Sequence, residues 1–146
     1  LFSILTKLYF CMTDHLTKEK RSWNMSRIGS KNTGLELKVR KFLYSMGFRY
    51  RLHNSKIPGK PDIANQSKKI AVFVHGCFWH RHESCKLASV PKTNTEFWLN
   101  KFEYNKRRDR KNTEKLSELG WKVYTIWECE TKIEHELKKI IKDILS

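Results

Sequence analysis

Residues 74–85 constrain this chain more than any other segment. Within twelve residues they include three histidines, two cysteines and two adjacent large aromatic residues, directly after the apolar residues 70–73. A hydrophobic core does not need so many metal-capable side chains in one place, whereas a metal site or a hydrolytic site does. The segment therefore predicts a metal site, a hydrolytic site or both, placed at the end of a buried strand.

Size and charge narrow the class of protein. A chain of 146 residues suits one domain with one hydrophobic core. Thirty Lys and Arg residues stand against fifteen Asp and Glu residues, which gives a formal net charge of +15. This excess predicts a polyanionic partner, with nucleic acid as the first candidate, although a basic surface without a specific partner is the alternative. No basic amphipathic helix has a broad apolar face, so we expect no membrane partner.

The cysteines and the N-terminus indicate the cellular compartment. Cys11, Cys77, Cys85 and Cys129 could form two disulfides, but the neighbouring histidines favour metal binding in a reducing cytoplasm. Residues 1–11 are apolar but too short to span a bilayer, and they lack the basic start and cleavage site of a signal peptide. We expect translation to begin at Met12, so that residues 1–11 lie upstream of the true start.

The pattern along the chain predicts an α/β fold. We divide the chain into an N-terminal arm (residues 1–32), whose polar part orders on its partner, and a folded domain (residues 33–146). Thr33 and Glu36 form a capping-box pattern that opens a helix ending at Gly47, and Thr93 and Glu96 repeat that pattern before a second helix. A helix, three strands, a helix, a strand and a helix predict a central mixed β-sheet flanked by helices, with a right-handed crossover. The predicted strands are residues 48–53, 62–64, 70–74 and 121–127, and the later helices are residues 93–120 and 131–144.

Four residues form a candidate zinc site. Cys77, His82 and Cys85 lie in one loop, and Cys129 directly follows the strand that the crossover should place beside residues 70–74. Three thiolates and one imidazole suit tetrahedral, structural Zn²⁺, which would pin a loop without regular structure. Free cysteines are one alternative, and a site with His80 in place of His82 is another.

A second group of residues predicts hydrolysis. Asp62 follows a Pro-Gly-Lys-Pro turn at the start of a strand, where its carboxylate could bind a hard divalent cation. His80 lies outside the expected zinc ligands and can accept a proton from water near pH 7, while His75 could contact the scissile phosphate. The alternatives are a solvated or capping aspartate and two structural histidines.

Aromatic and basic residues complete the predicted DNA surface. Phe78 and Trp79 are adjacent in a rigid loop, and with Trp98 they could insert as apolar wedges between bases. Core packing is the alternative for all three. Residues 106–111 are Lys-Arg-Arg-Asp-Arg-Lys, which predicts a solvated helix face that also follows DNA phosphates.

These motifs resemble known nucleases. Pro61-Asp62 before an apolar strand resembles the PD-(D/E)xK nuclease fold, although the usual second carboxylate and lysine are absent from residues 73–75. His-Gly-Cys-Phe-Trp-His at residues 75–80 and Trp-Glu-Cys at residues 127–129 resemble the very-short-patch repair (Vsr) endonucleases. The resemblance covers about residues 22–130 in family order, and it includes Pro-Gly-Lys-Pro-Asp at residues 58–62 and Lys-Thr-Asn-Thr-Glu-Phe-Trp at residues 92–98.

The resemblance implies a Mg²⁺-dependent, strand-specific endonuclease that nicks DNA 5′ to the thymine of a T:G mismatch left by deamination of 5-methylcytosine. Asp62 and the backbone carbonyl of Val74 would bind Mg²⁺, His80 would be the general base, and His75 and Glu36 would assist. Val74 stands where some relatives have Thr, a change that a backbone ligand tolerates. The structural Zn²⁺ would be held by Cys77, His82, Cys85 and Cys129.

The resemblance also implies the partners. Phe78, Trp79 and Trp98 would enter from the major groove, and the arm with Met25, Arg27 and Lys31 would approach the minor groove. We expect a monomer on mismatched double-stranded DNA, associated with the nucleoid in a bacterial cytoplasm, with mismatch-repair proteins as candidate partners. The alternatives are a restriction-type endonuclease that cuts unmismatched or modified DNA and a non-catalytic, zinc-stabilised DNA-binding module.

Overall fold

The computed structural model describes residues 17–27, 29 and 31–146, and the predictions for residues 1–12 lie outside this part of the chain. The chain divides into two compact units, residues 1–30 and 31–146. The first unit contains helix α1 (Lys18–Ser26), within the segment predicted as an N-terminal arm. The helix begins at a local cap, because the hydroxyl of Thr17 accepts a hydrogen bond from the Lys20 N–H.

The second unit is built on a mixed sheet of four strands in the order β1-β2-β3-β4. The strands are β1 (Arg51–Leu52), β2 (Ile63–Asn65), β3 (Ile70–His75) and β4 (Lys122–Trp127). The first three pair antiparallel, and β3 pairs parallel with β4, which sets His75 opposite Trp127. The predicted α/β fold with a mixed sheet is therefore confirmed.

Alternate residues of β3 face opposite sides of the sheet. Ile70 and Val72 pack in one core cluster with buried residues of helices α2 (Gly34–Ser45) and α6 (Glu134–Leu145). Ala71 and Phe73 pack in another cluster with Leu116 of helix α4 (Thr95–Glu118). The helices thus cover both faces, and a strand buried on both faces reads as the continuous apolar run seen in the sequence.

Two predicted elements differ in extent. The strand predicted at residues 48–53 is reduced to the two residues of β1, and it ends before His53 because that residue has a left-handed backbone (φ 44°). The helix predicted at residues 131–144 corresponds to α6, and a separate one-turn helix, α5 (Glu128–Thr131), precedes it. They are separated because Ile133 has an extended backbone (φ −108°, ψ 107°).

The start of α4 and the loop after β3 also differ from the predictions made from the sequence. The predicted capping box at Thr93 does not form: Asn94 is the N-cap, in a left-handed conformation (φ 51°) without a side-chain cap. The hydroxyl of Thr95 instead donates to the carbonyls of Pro91 and Lys92. The loop contains the one-turn helix α3 (Cys77–His80), where no regular structure was predicted. The described residues include no helix long and apolar enough to cross a lipid bilayer.

Candidate active site and metal centre

Three clusters of metal-capable side chains surround the C-terminal end of β3. Within each, the potential ligand atoms lie within 4.8 Å of one another. Two of the clusters lie on opposite faces of the sheet. The one with His75 is on the α4 face, where His75 contacts Phe73 (ring centroids 5.8 Å apart), and the one with Glu36 is on the α2 face. We call them the carboxylate cluster (Glu36, His53, Asp62), the histidine cluster (His75, His80, Asp109) and the cysteine cluster (Cys77, His82, Cys85, Cys129).

Asp62 directly precedes β2 and is held by the neighbouring strand. The backbone N–H of Val74 donates to its Oδ2 (2.7 Å), and no described residue makes a hydrogen bond to its Oδ1. Burial raises the pKa of Asp62, the Val74 hydrogen bond opposes that rise, and the Glu36 charge adds to it. A buried carboxylate that is costly to ionise and has one free oxygen fits a hard divalent cation, which would supply the missing charge.

Glu36 has protein partners on both carboxylate oxygens. Oε2 accepts from the Arg40 guanidinium (2.7 Å) and from the Asn32 N–H (3.0 Å), and Oε1 accepts from the Thr33 hydroxyl (3.2 Å). The Thr33 hydroxyl also accepts from the Glu36 N–H, so the predicted helix cap is confirmed. Glu36 therefore has an observed capping role, and it is bound to Arg40, a neighbour the sequence did not single out.

The histidine cluster orients one imidazole toward solvent. His80 Nδ1 lies 2.5 Å from Asp109 Oδ2, which leaves Nε2 as the free nitrogen. Burial raises the pKa of Asp109, but the hydrogen bond and charge of His80, together with His75 and Arg108, outweigh burial, so the pKa is lowered overall. Asp109 is therefore an ionised group that fixes His80 in the tautomer needed to accept a proton at Nε2.

His75 lies against His80 as a neutral ring. The two imidazoles are stacked, with centroids 3.7 Å apart and planes 8° apart. Burial, followed by the charge of His80, lowers the pKa of His75 to about 3. At neutral pH His75 is thus an uncharged hydrogen-bonding group beside His80.

Asp109 is a functional candidate that the sequence missed. It lies in residues 106–111, predicted as a solvated face, yet its side chain is only 20% exposed and contacts His80. One turn earlier, buried Asn105 donates to the Trp79 carbonyl (2.9 Å) and so attaches α3 to α4. The sequence signal that could have indicated Asp109 is its position as the one acidic residue among five basic ones.

An open cavity of about 420 Å³ lies beside His80. Three basic side chains line it, Arg81, Lys106 and Arg110.

The cysteine cluster gathers three thiols around one imidazole. His82 Nδ1 lies 3.2 Å from Cys129 Sγ and 3.7 Å from Cys77 Sγ. The parallel pairing of β3 and β4 brings Cys129, at the start of α5, beside the segment that follows β3. The geometry selects His82 rather than His80 for this cluster. Burial raises the pKa of the Cys77 thiol to about 12, so a bound cation would be needed to hold its thiolate form.

The predicted wedge residues form an aromatic cluster anchored in the core. Phe78, Trp79 and Trp98 are half-buried, and their ring centroids lie 5.2–5.9 Å apart. Phe78 and Trp98 also contact buried Phe102. Phe97, which the sequence did not single out, contacts Trp98 and is 60% exposed. The cluster is therefore fixed on its inner side and partly open on its outer side.

The predicted arm residues lie in both units. Met25 belongs to α1 and is 38% exposed, and the Arg27 guanidinium lies 4.2 Å from the centre of the Trp23 ring. Lys31 is exposed at the start of the second unit.

A carboxylate open to a cation and an aspartate-oriented imidazole are the groups that define a metal-assisted hydrolase. The family model described as "DNA mismatch endonuclease Vsr" matches residues 13–87. The chain belongs to this Vsr family, and it is a DNA endonuclease.

Individual relatives agree over most of the chain. The "Type II nicking enzyme V.NmeAIP" of Neisseria meningitidis serogroup A is 46% identical over 137 residues, which cover 91% of this chain and 97% of that protein. The "Type II nicking enzyme V.XorIIP" of Xanthomonas oryzae pv. oryzae is 41% identical, covering 92% and 98%. The "DNA mismatch endonuclease Vsr" of Escherichia coli K12 is 42% identical, covering 81% and 75%.

Proposed function

We propose that this endonuclease is Mg²⁺-dependent and strand-specific, and that it nicks DNA 5′ to the thymine of a T:G mismatch to begin very-short-patch repair. One observation carries the proposal: the end of β3 separates a cation-ready carboxylate, Asp62, from an Asp109-oriented base, His80. The similarity to a protein named as a mismatch endonuclease supports the substrate.

Each residue has a distinct role in the proposed reaction. Asp62 and the Val74 carbonyl would hold Mg²⁺, which when bound stabilises negative charge on the phosphoryl oxygens. His80 Nε2 accepts the proton of the attacking water, and Asp109 holds the ring in position and stabilises its charged form. His75, which is neutral, donates a hydrogen bond to the phosphate. Glu36 acts indirectly, through the electrostatics of the carboxylate cluster.

The cysteine cluster would hold Zn²⁺ as a scaffold. Three thiolates and an imidazole leave no open position for water in a tetrahedral site, which is typical of structural zinc. Such an ion would attach α3, which carries His80 and the aromatic pair, to α5 and the end of β4.

Duplex DNA would be recognised by stacking and by charge. The aromatic cluster would enter the duplex from the major groove, and the outer sides of Phe78, Trp79 and Trp98 would unstack the mismatched base pair. Met25, Arg27 and Lys31 would contact the minor groove and backbone, supported by the net charge of +15. We expect a monomer acting on nucleoid DNA, with mismatch-repair proteins as candidate partners.

A second function has a specific observation in its favour. Five of the similar proteins are named type II nicking enzymes, and these names specify nicking without naming a mismatch. The second candidate is therefore a restriction-type endonuclease that cuts unmismatched or modified DNA with the same clusters. Both functions need Asp62 and His80, so only the substrate distinguishes them.

One experiment separates the two functions. Each strand of a duplex is labelled in turn, and nicking of a T:G duplex is compared with a C:G duplex of the same sequence, with Mg²⁺ or with EDTA. We expect one nick, 5′ to the mismatched thymine, only with Mg²⁺ and on the T:G duplex. Equal rates on both duplexes would contradict the repair function and support the second one.

A further inference from the structure

Arg40 is a buried cation at the centre of the carboxylate cluster. It extends from α2 and is 6% exposed, beside Glu36, which is 3% exposed. Its NH2 nitrogen lies 2.7 Å from Glu36 Oε2 and 2.9 Å from His53 Nε2, while NH1 donates to Asn32 Oδ1 (2.8 Å). One guanidinium nitrogen therefore lies between two of the three potential ligands of the cluster.

The contact with Arg40 determines the tautomer of the His53 ring. A guanidinium can only donate hydrogen bonds, so His53 Nε2 must accept, and the proton of that ring is on Nδ1. His53 Nε2 and Glu36 Oε2 are 3.5 Å apart. An imidazole lone pair and a carboxylate oxygen converge here on a positive charge, as they would on a divalent cation.

We infer that Arg40 is a built-in cation that takes the place of a second divalent ion between Glu36 and His53, and so restricts the site to one ion at Asp62. The guanidinium engages both ligand atoms, and its charge would repel a divalent ion a few ångströms away. The Oδ1 atom of Asp62 accepts no hydrogen bond from a described residue, so Asp62 remains available to bind the single ion. Arg40 is thus a positioning residue that determines the number of metal ions. The inference rests on the proposed function for the ion at Asp62.

The decisive variant removes the charge of Arg40 and retains its bulk. The Nε atom of Arg40 is buried without a hydrogen bond, so Arg40→Met loses only the contacts of the two terminal nitrogens. Glu36 is then a buried carboxylate without its cation, and His53 Nε2 is free. We expect this variant to bind a second Mn²⁺ between Glu36 and His53, in addition to the ion at Asp62, whereas the wild type binds only the ion at Asp62.

The measurement counts Mn²⁺ ions by electron paramagnetic resonance in zinc-loaded protein without DNA. We expect one Mn²⁺ per wild-type chain and two per Arg40→Met chain, the second with a nitrogen coupling that disappears in Arg40→Met/His53→Gln. Mn²⁺ should also raise the melting temperature of Arg40→Met more than that of the wild type. Arg40→Gln, which is neutral but still donates a hydrogen bond, gives the same test if Arg40→Met does not fold.

Three controls isolate the charge at this position. Arg40→Lys keeps the cation and should bind one Mn²⁺. Arg49→Met removes an exposed arginine that lies over the Tyr44 ring, and it should also bind one. Glu36→Gln/Arg40→Met removes both charges of the buried pair, which is milder than removing one, and it should not gain an ion.

The outcomes separate this inference from the proposed function. One Mn²⁺ in both the wild type and Arg40→Met, without the nitrogen coupling, would overturn the inference and leave the ion at Asp62 in place. Two ions in the wild type would also overturn it. No ion in the wild type would overturn the metal assignment at Asp62 and the inference together, while a failed T:G assay would leave the ion counts unaffected.

Discussion

The cysteine cluster and the histidine cluster are built largely from one short segment, yet they differ in chemistry. Each takes one residue from a distant element: Cys129 of α5 joins the first, and Asp109 of α4 joins the second. The cysteine cluster has four potential ligands, three thiols and one imidazole, with His82 stacked on Trp127 (ring centroids 4.3 Å apart). The histidine cluster has three members beside an open cavity. This difference supports the proposed division, in which one set maintains the loop and the other carries out the reaction.

Burial keeps a key residue of each cluster uncharged, with different consequences. The pKa of Cys77 is raised to about 12 and that of His75 is lowered to about 3. A buried thiol becomes a thiolate when it coordinates a metal, so the cysteine cluster is suited to a permanent ion. A neutral imidazole needs no ion to donate a hydrogen bond to a phosphate.

The largest expected effect comes from removing a ligand of the cysteine cluster. Cys129→Ser should lose zinc and the attachment of α3 to α5, because structural zinc contributes directly to folding, about 10–16 kcal/mol of apparent binding free energy in zinc-finger peptides. We expect no bound zinc by atomic absorption, a lower melting temperature and no cleavage. Ser117→Ala, at an exposed position of α4, is the control. Full zinc content in Cys129→Ser would show that this cluster is not the scaffold.

Removing the base should reduce cleavage without affecting the scaffold. His80→Gln should lower the rate of T:G nicking about 10²–10⁴-fold, the usual contribution of general base catalysis. Zinc content should match the wild type, because His80 lies outside the cysteine cluster, and the melting temperature should fall only slightly, through loss of the pair with Asp109. If the variant loses its zinc, His80 rather than His82 is the ligand, and the two clusters are wrongly divided.

The aromatic cluster should affect the choice of substrate more than the reaction itself. Trp79→Ala removes a ring that we propose stacks on DNA, where one base–aromatic contact is worth about 1–3 kcal/mol. We expect kcat/KM on T:G DNA to fall about 5–150-fold with zinc content unchanged. Tyr104→Ala, an exposed aromatic residue of α4 outside the cluster, is the control. Equal losses in both variants would indicate general DNA affinity rather than a wedge.

The smallest expected effect is a pH dependence of stability. The folded-state pKa of Asp109 is below its unfolded value, about 4, so its contribution to stability is full above that value and is lost as pH falls through the folded pKa. Urea midpoints between pH 7 and pH 3 should therefore decline more steeply for the wild type than for Asp109→Asn. Asp143→Asn, at an exposed position, should follow the wild type. Parallel curves for the wild type and Asp109→Asn would mean that the pair with His80 does not stabilise the fold.

The sequence predicted the parts of this site that depend on strand order and local caps. Cys129 was correctly expected beside the segment after β3, because a strand following a helical crossover pairs parallel with the first strand. Thr33 was correctly expected to cap α2, because the side chain and the N–H it accepts from are three residues apart.

The sequence could not predict contacts that depend on how a helix is rotated in the folded chain. Asp109 lies 29 residues from His80, and composition alone suggested a solvated face for residues 106–111. Arg40 and His53 are 13 residues apart on either side of the turn that follows α2. Nothing local indicates that Arg40, rather than another basic residue of α2, is buried. Such contacts are set by the packing of α2 and α4 on opposite faces of the sheet.

The most direct test of the division between scaffold and reaction is Asp62→Asn, measured for zinc content and T:G nicking in the same preparation. The asparagine can still accept the Val74 hydrogen bond, and it removes a carboxylate whose pKa burial has raised. We predict full zinc content, a melting temperature equal to or above that of the wild type, and no Mg²⁺-dependent nicking. Undiminished nicking, or loss of zinc together with nicking, would contradict the account.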